Sequence, residues 1–185
     1  MGVIGDSLDQ ATQNVTTRPA PKSAGARMRF LVKRASGSTK AVAQALGITQ
    51  RTVERYVNDT FKRPRPQLAA RLEAEVRRQW QPLVKRRAAK KAATSTGITI
   101  EARARFGFTA APGTTDDSRL RLITQHLPPS YARRLFNARA GGATEAQLRE
   151  IVAEGLQEQY FKDRGRRAPG LLVEFTDIDY VELDY

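Results

Sequence analysis

The sequence predicts a mainly α-helical N-terminal domain built on a helix-turn-helix, followed by a small α+β C-terminal domain. Three observations predict it. Thr39 to Thr60, TKAVAQALGITQRTVERYVNDT, spaces small, apolar and basic residues as two short helices joined at a glycine. The positive charge gathers around that stretch. Of a formal net charge of +13 in 185 residues, residues 22–91 contribute nineteen basic against four acidic side chains. Residues 1–21 hold one Arg against Asp6 and Asp9, and residues 92–185 hold twelve basic against thirteen acidic side chains. After residue 97 a period-two pattern is followed by helical stripes, the signature of an α+β unit. The expected organisation is an N-terminal arm over 1–21, the helix-turn-helix domain over 22–81, a basic linker helix and hinge over 82–97, and the α+β domain over 98–185.

In order along the chain, Ile4 to Val15 is weakly periodic and TTRPAPK is punctuated by proline, so a short helix or arm precedes a linker. Ser23 to Ala35 carries Met28, Leu31 and Val32 on one face and Arg27, Lys33 and Arg34 on the other. Thr39 can cap the next helix, with Val42, Ala45 and Leu46 inward, and Gly47 supplies the left-handed turn that ends it. Thr49 can cap a second helix whose Val53 and Tyr56 or Val57 point inward. Gln50, Arg51, Thr52, Glu54 and Arg55 are left outside. Gln and Arg form paired hydrogen bonds to adenine and guanine edges, and Thr suits a phosphate or a thymine methyl, so this helix is the candidate reader of a major groove. An ordinary helical hairpin with solvated charges is the plainer alternative.

FKRPRP then places Lys62, Arg63 and Arg65 on an extended turn, near a phosphate backbone or simply in solvent. Leu68, Leu72, Val76 and Trp80 recur at helical spacing, with Trp80 expected as a packing anchor. Pro82 starts a helix-prone run in which Lys85, Arg86, Arg87, Lys90 and Lys91 leave little apolar face. That run is expected to be frayed alone and to order against phosphates, or else to be a solvated linker helix. TSTG, Thr94 to Gly97, reads as the hinge.

In the second half Ile98, Ile100, Ala102, Ala104, Phe106 and Phe108 alternate with Thr99, Glu101, Arg103 and Arg105, a half-buried strand. The two arginines suit nucleic acid or, somewhat better, the acidic C-terminus. Arg119 to Leu127 reads as a helix through Leu120, Leu122 and Ile123. Ser130 can cap a further helix, Tyr131 to Ala140. Thr144 to Gln147 is a T-x-x-Q capping box before an amphipathic helix with Leu148, Ile151, Val152, Leu156 and Tyr160 on its stripe. LLVEFTDIDYVELDY reads as a strand, with a possible break into a hairpin near Thr176 and Asp177.

The chain has no cysteine, which excludes disulfides and thiolate chemistry and suits a reducing compartment. No apolar run approaches membrane-spanning length, so an intracellular, cytoplasmic protein without a membrane partner is expected. His126 is the single histidine, which argues against a histidine metal site; no metal and no cofactor of its own is expected. One loop carries chemistry: APGTTDDS, Ala111 to Ser118. Its plainer reading is Thr115 or Asp116 as a helix N-cap, with Asp117 favoured by the helix dipole. No His, Cys or Lys stands nearby to activate a hydroxyl, so a self-sufficient hydrolase is not supported and the chain is not expected to be an enzyme.

Taken together, RPAPKSAGARMRFL, ITQRTVERYV, KRPRPQLAARLE, RRQW, KKAAT, RARFGFTAAPGTTDDSR and GLQEQYFKD closely resemble the telomere-protecting terminal proteins of linear actinobacterial (Streptomyces-type) chromosomes and plasmids. The resemblance runs from about Arg18 to the C-terminus. It implies a protein that binds telomeric DNA, as single-stranded overhang or duplex, and ends up joined covalently to the 5′ ends of linear DNA. A threonine in the family motif G-T-T-D-D primes the polymerase that fills the recessed end. That threonine maps onto Thr114, with Thr115 and Ser118 as neighbouring hydroxyls and Asp116 and Asp117 as loop support. Mg²⁺ and a deoxynucleotide, dCTP by the same resemblance, are supplied in the polymerase site. The implied partners are telomeric DNA, a DNA polymerase and a telomere-associated protein, with a homo-oligomer also open, and the implied location is the nucleoid at DNA ends. The rival expectation is a helix-turn-helix transcriptional regulator with a C-terminal dimerisation domain.

Overall fold

The computed structural model describes residues 2–109, 119–167 and 170–185. Among them the elements run α1 Val3–Asn14, α2 Ala24–Arg34, α3 Thr39–Leu46, α4 Gln50–Val57, α5 Pro66–Gln79, α6 Pro82–Lys91, β1 Ile98–Thr109, β2 Arg119–Leu127, α7 Pro129–Ala140, α8 Glu145–Leu156 and β3 Leu172–Asp184. Single π-helical turns extend α6 over Ala92–Thr96 and α8 over Gln157–Phe161. The described residues are thus mostly helical, with one small antiparallel sheet. The chain divides into two units, residues 17–82 and residues 1–16 with 83–185.

The 17–82 unit is four helices around Met28, Leu31, Val42, Leu46, Val53, Tyr56, Leu68, Leu72 and Val76, all buried. Local chemistry sets each helix boundary. The Ser23 hydroxyl accepts from the Ala26 amide at the start of α2, and α5 opens with Pro66, whose missing N–H costs nothing in the first turn. Ser38, and not Thr39, caps α3, its hydroxyl accepting from the Ala41 amide; Thr39 is already helical. Ala43 takes the inward position expected of Ala45, which is exposed. Trp80 anchors the end of α5: its ring meets Phe30 edge-on at 5.1 Å and its Nε1 donates to the Arg18 carbonyl at 2.9 Å.

The other unit is the sheet, in the order β2-β1-β3, with one face covered by helices. Ile98, Ile100, Ala102, Ala104 and Phe106 of β1 are fully buried, flanked by Ile123 and Leu127 of β2 and Val173 and Val181 of β3. Leu135, Leu148, Val152 and Leu156 of α7 and α8 close the core. The capping box of α8 forms as expected, Thr144 and Gln147 each receiving from the other's backbone amide. Ser130 is not the cap; α7 begins at Pro129, two residues before the expected start at Tyr131, with no side-chain cap.

Other expectations are corrected or decided in this unit. The run Arg119–Leu127 is a strand, not a helix, paired antiparallel with β1 from Phe106↔Arg119 to Ile98↔Leu127. The C-terminal strand does not break into a hairpin; it slips past β1 at Asp179 and Thr176, where the register shifts, and continues. Residues 1–16 form the short helix and not the arm. They hold α1, whose Ile4, Leu8 and Ala11 are buried in the same core and whose first amides, Ile4 and Gly5, donate to the Glu145 carboxylate at 2.8 and 3.1 Å. That carboxylate satisfies donors that a helix start leaves without partners.

The basic run after Pro82 is likewise no linker. Lys85 is buried and donates to Gln13 Oε1 at 2.7 Å, and Ala92 sits in the core. The backbone at Gly97 packs closely against β2. With φ +73°, a Cβ there would stand 2.2 Å from the Leu127 carbonyl oxygen, a backbone atom that cannot rotate away. Gly97→Ala is therefore expected to destabilise this unit by more than about 1 kcal/mol, the ordinary scale of a glycine substitution at positive φ, with β1 and β2 displaced. Thermal unfolding followed by circular dichroism measures it, and an unchanged midpoint contradicts the geometry.

Candidate nucleic-acid interface

Two short helices, α3 and α4, are joined by Gly47, Ile48 and Thr49. Gly47 adopts φ 60° and ψ 43°, the left-handed conformation that ends α3 without a Cβ penalty. Thr49 caps α4, its hydroxyl accepting from the Thr52 amide and lying 2.9 Å from the Thr52 hydroxyl. Val53 and Tyr56 point into the core, so rotation about the helix axis is fixed. Gln50, Arg51 and Glu54 are exposed, and Thr52 and Arg55 half-buried.

The far end of α4 is tied down. The amides of Thr60 and Phe61 both donate to the Arg55 carbonyl, at 2.8 and 3.2 Å. Phe61 packs edge-on against Tyr56, and the Arg55 guanidinium lies over the Phe61 ring at 5.0 Å. Arg55 is thus held at the rim by a cation–π contact and is less free to reach outward than Arg51. Lys62, Arg63 and Arg65 follow, all exposed.

Residues 17–82 carry fifteen basic and four acidic side chains, a net of +11, so nearly all the excess charge of the chain resides in this unit. Its ion pairs among the described residues join α2 to the turn after α4 and to α5, or lie within α5: Arg29 with Asp59, Arg27 and Arg77 with Glu73, and Arg78 with Glu75. None of Arg51, Lys62, Arg63 and Arg65 pairs with a described carboxylate. Their charge is not neutralised by an ion pair among the described residues. Of the cations on α6, Arg86, Arg87, Lys90 and Lys91 are exposed, whereas Lys85 is turned inward and is no surface contact.

Thr114, Thr115, Asp116, Asp117 and Ser118 lie outside the described residues, between the end of β1 at Thr109 and the start of β2 at Arg119. The sheet face opposite the core is acidic. Arg103 pairs there with Asp179 at 3.2 Å, the intramolecular alternative expected for it. Tyr180 donates to the Glu101 carboxylate at 2.8 Å, a bond that holds its phenol above the usual tyrosine range. His126 hydrogen-bonds Thr99 across the strands at 3.2 Å. No cluster of three or more His, Cys, Asp or Glu with metal-holding geometry occurs among the described residues, and no helix among them is long and apolar enough to cross a membrane.

Reading the sequence for function missed the bond from Gln50 Nε2 to Glu54 Oε1, 2.9 Å. The four-residue spacing on one helix face was its available signal. Comparison of the chain with protein-family models, curated proteins and solved structures finds no match.

Proposed function

We propose that the chain is a DNA terminal protein: it holds telomeric DNA through residues 17–82 and offers the Thr114 hydroxyl as the primer for end-patching synthesis. In this reading α3 and α4 act as a helix-turn-helix and α4 enters a major groove. The observation that carries it is the net +11 of one 66-residue unit, with unpaired cations on and beside a helix whose other face is locked in a core. Lys62, Arg63 and Arg65 contact phosphates and set register, while Gln50, Arg51 and Thr52 meet base edges.

The priming half of the proposal rests on the resemblance of the GTTDD run. The Thr114 oxygen attacks the α-phosphate of a deoxynucleotide, dCTP in this reading; an O–P bond forms, the bond to pyrophosphate breaks, and the hydroxyl proton leaves to a base in the polymerase site. Mg²⁺ in that site lowers the alcohol's pKa and orients the attack. The chain is then a substrate and not a catalyst. Asp116 and Asp117 support the loop. The polymerase and a telomere-associated protein are the proposed partners, and DNA ends in the nucleoid the proposed location. A transcriptional regulator shares the DNA-binding half and lacks the priming half.

Two measurements test the halves separately. Purified protein incubated with labelled dCTP, Mg²⁺ and polymerase-containing extract should acquire label that survives boiling in detergent and disappears with protease; a regulator acquires none. Arg51→Ala should weaken binding to telomeric DNA by roughly fivefold to hundredfold, the value of one bidentate base contact, with the salt dependence changed by no more than about one phosphate contact. Unchanged affinity removes α4 from the interface.

A further inference from the structure

Residues 17–82 hold four carboxylates, and three of them are engaged by arginines: Asp59 by Arg29, Glu73 by Arg27 and Arg77, Glu75 by Arg78. Glu54 is the exception. It stands exposed on α4, forms no ion pair with a described residue, and accepts from Gln50 one turn earlier. Arg55, its neighbour in sequence, is turned over Phe61 instead.

A bare carboxylate on the surface that is to meet phosphates is repelled by them and lowers affinity for DNA of any sequence. That cost is offset only where the ligand brings an N–H donor to it. In the major groove those donors are the exocyclic amino groups, N4 of cytosine and N6 of adenine, and a carboxylate suits the first. Gln50 is affected by the same bond. One of its amide hydrogens is taken by Glu54, which orients the side chain and leaves its Oε1 and its second N–H for a neighbouring base. The pair therefore offers chiefly acceptors to a groove.

Resting on the DNA-binding reading above, we propose that Glu54 is a specificity-determining residue. It accepts a hydrogen bond from a cytosine amino group, positions Gln50 for the adjacent base, and penalises every site that lacks the amino group. Arg51 and the loop lysine and arginines supply affinity, and Glu54 spends part of that affinity on discrimination.

The test is selection of binding sites from a random duplex library with the full chain and with Glu54→Ala and Glu54→Gln, alongside titration of a fixed random-sequence duplex. The native chain should enrich a C·G pair at one position. Glu54→Ala should lose that preference by roughly fivefold to hundredfold while keeping the remaining motif. It should also bind the random duplex roughly two- to tenfold more tightly at low salt, where removal of one negative charge is felt most. Glu54→Gln should move the preference toward adenine. An unchanged motif in Glu54→Ala overturns this inference and leaves the DNA-binding reading intact. Weaker binding of Glu54→Ala to the random duplex also overturns it, since the residue would then be serving the fold. If the native chain binds no duplex, the placement of α4 in a major groove fails and this inference with it, while holding of single-stranded telomeric DNA is tested separately.

Discussion

Thr114→Ala is expected to abolish nucleotide attachment altogether, with no residual adduct, because the substitution removes the oxygen that becomes the ester. Tryptic digestion of the labelled native chain should release Phe106–Arg119 heavier by one nucleotide, since Arg105 and Arg119 bound that peptide. Thr114→Ser should restore the adduct. A primary alcohol is as weakly acidic as a secondary one, so activation still comes from the metal in the polymerase site and only the position of the oxygen matters. Thr115→Ala and Ser118→Ala serve as neighbours that keep their adduct. All four variants should bind DNA as the native chain does, because residues 111–118 belong to a different unit from α4. An adduct that persists in Thr114→Ala and maps to Thr115 or Ser118 would move the priming oxygen; one that vanishes only when DNA binding is lost would mean that attachment follows from tethering and says nothing about residue 114.

The parts of this protein that were legible in its sequence are those decided within a few residues. Thr49 and Gly47 mark the ends of α3 and α4 because a hydroxyl cap and a left-handed glycine act on their own backbone. The Thr144 and Gln147 box works in the same way. The strand Arg119–Leu127 was not legible, since Leu120, Ile123 and Leu127 repeat at helical spacing and the segment is only nine residues long. What decides it is pairing with β1, which buries Ile123 and Leu127 and leaves Leu120 and Leu122 on the open face. The capping of α1 was hidden for the same reason: its partner Glu145 lies 141 residues away from Ile4. At the candidate interface the outward residues of α4 could be read from periodicity. The restraint of Arg55 by Phe61 could not, because it depends on how the chain returns after Asp59, which sits at φ +56°.

Removal of residues 1–16 is expected to unfold the unit that contains the sheet while sparing the unit that contains α4. An arm could be trimmed without effect, but α1 contributes Ile4 and Leu8, each essentially inaccessible to solvent, to the core shared by β1, α7 and α8. Leu8→Ala alone should cost about 2–5 kcal/mol, and loss of the whole helix takes Ile4 and Ala11 with it, against a domain stability of about 5–15 kcal/mol. Further bonds go as well. Leu183 loses the acceptor for its amide, the Ser7 hydroxyl at 2.9 Å, and the Tyr185 hydroxyl loses Thr12. Arg139 and Asp9 are parted, and Lys85 is left buried without Gln13. Differential scanning calorimetry of the native chain should show two transitions, of which the truncated chain retains the one belonging to residues 17–82, together with duplex binding; nucleotide attachment at Thr114 should be lost because β1 and β2 no longer hold the ends of its loop. Survival of both transitions would return α1 to the status of an arm. Loss of both would mean that the two units do not fold independently, and the separation of DNA holding from priming on which the Thr114 and Arg51 measurements depend would have to be abandoned.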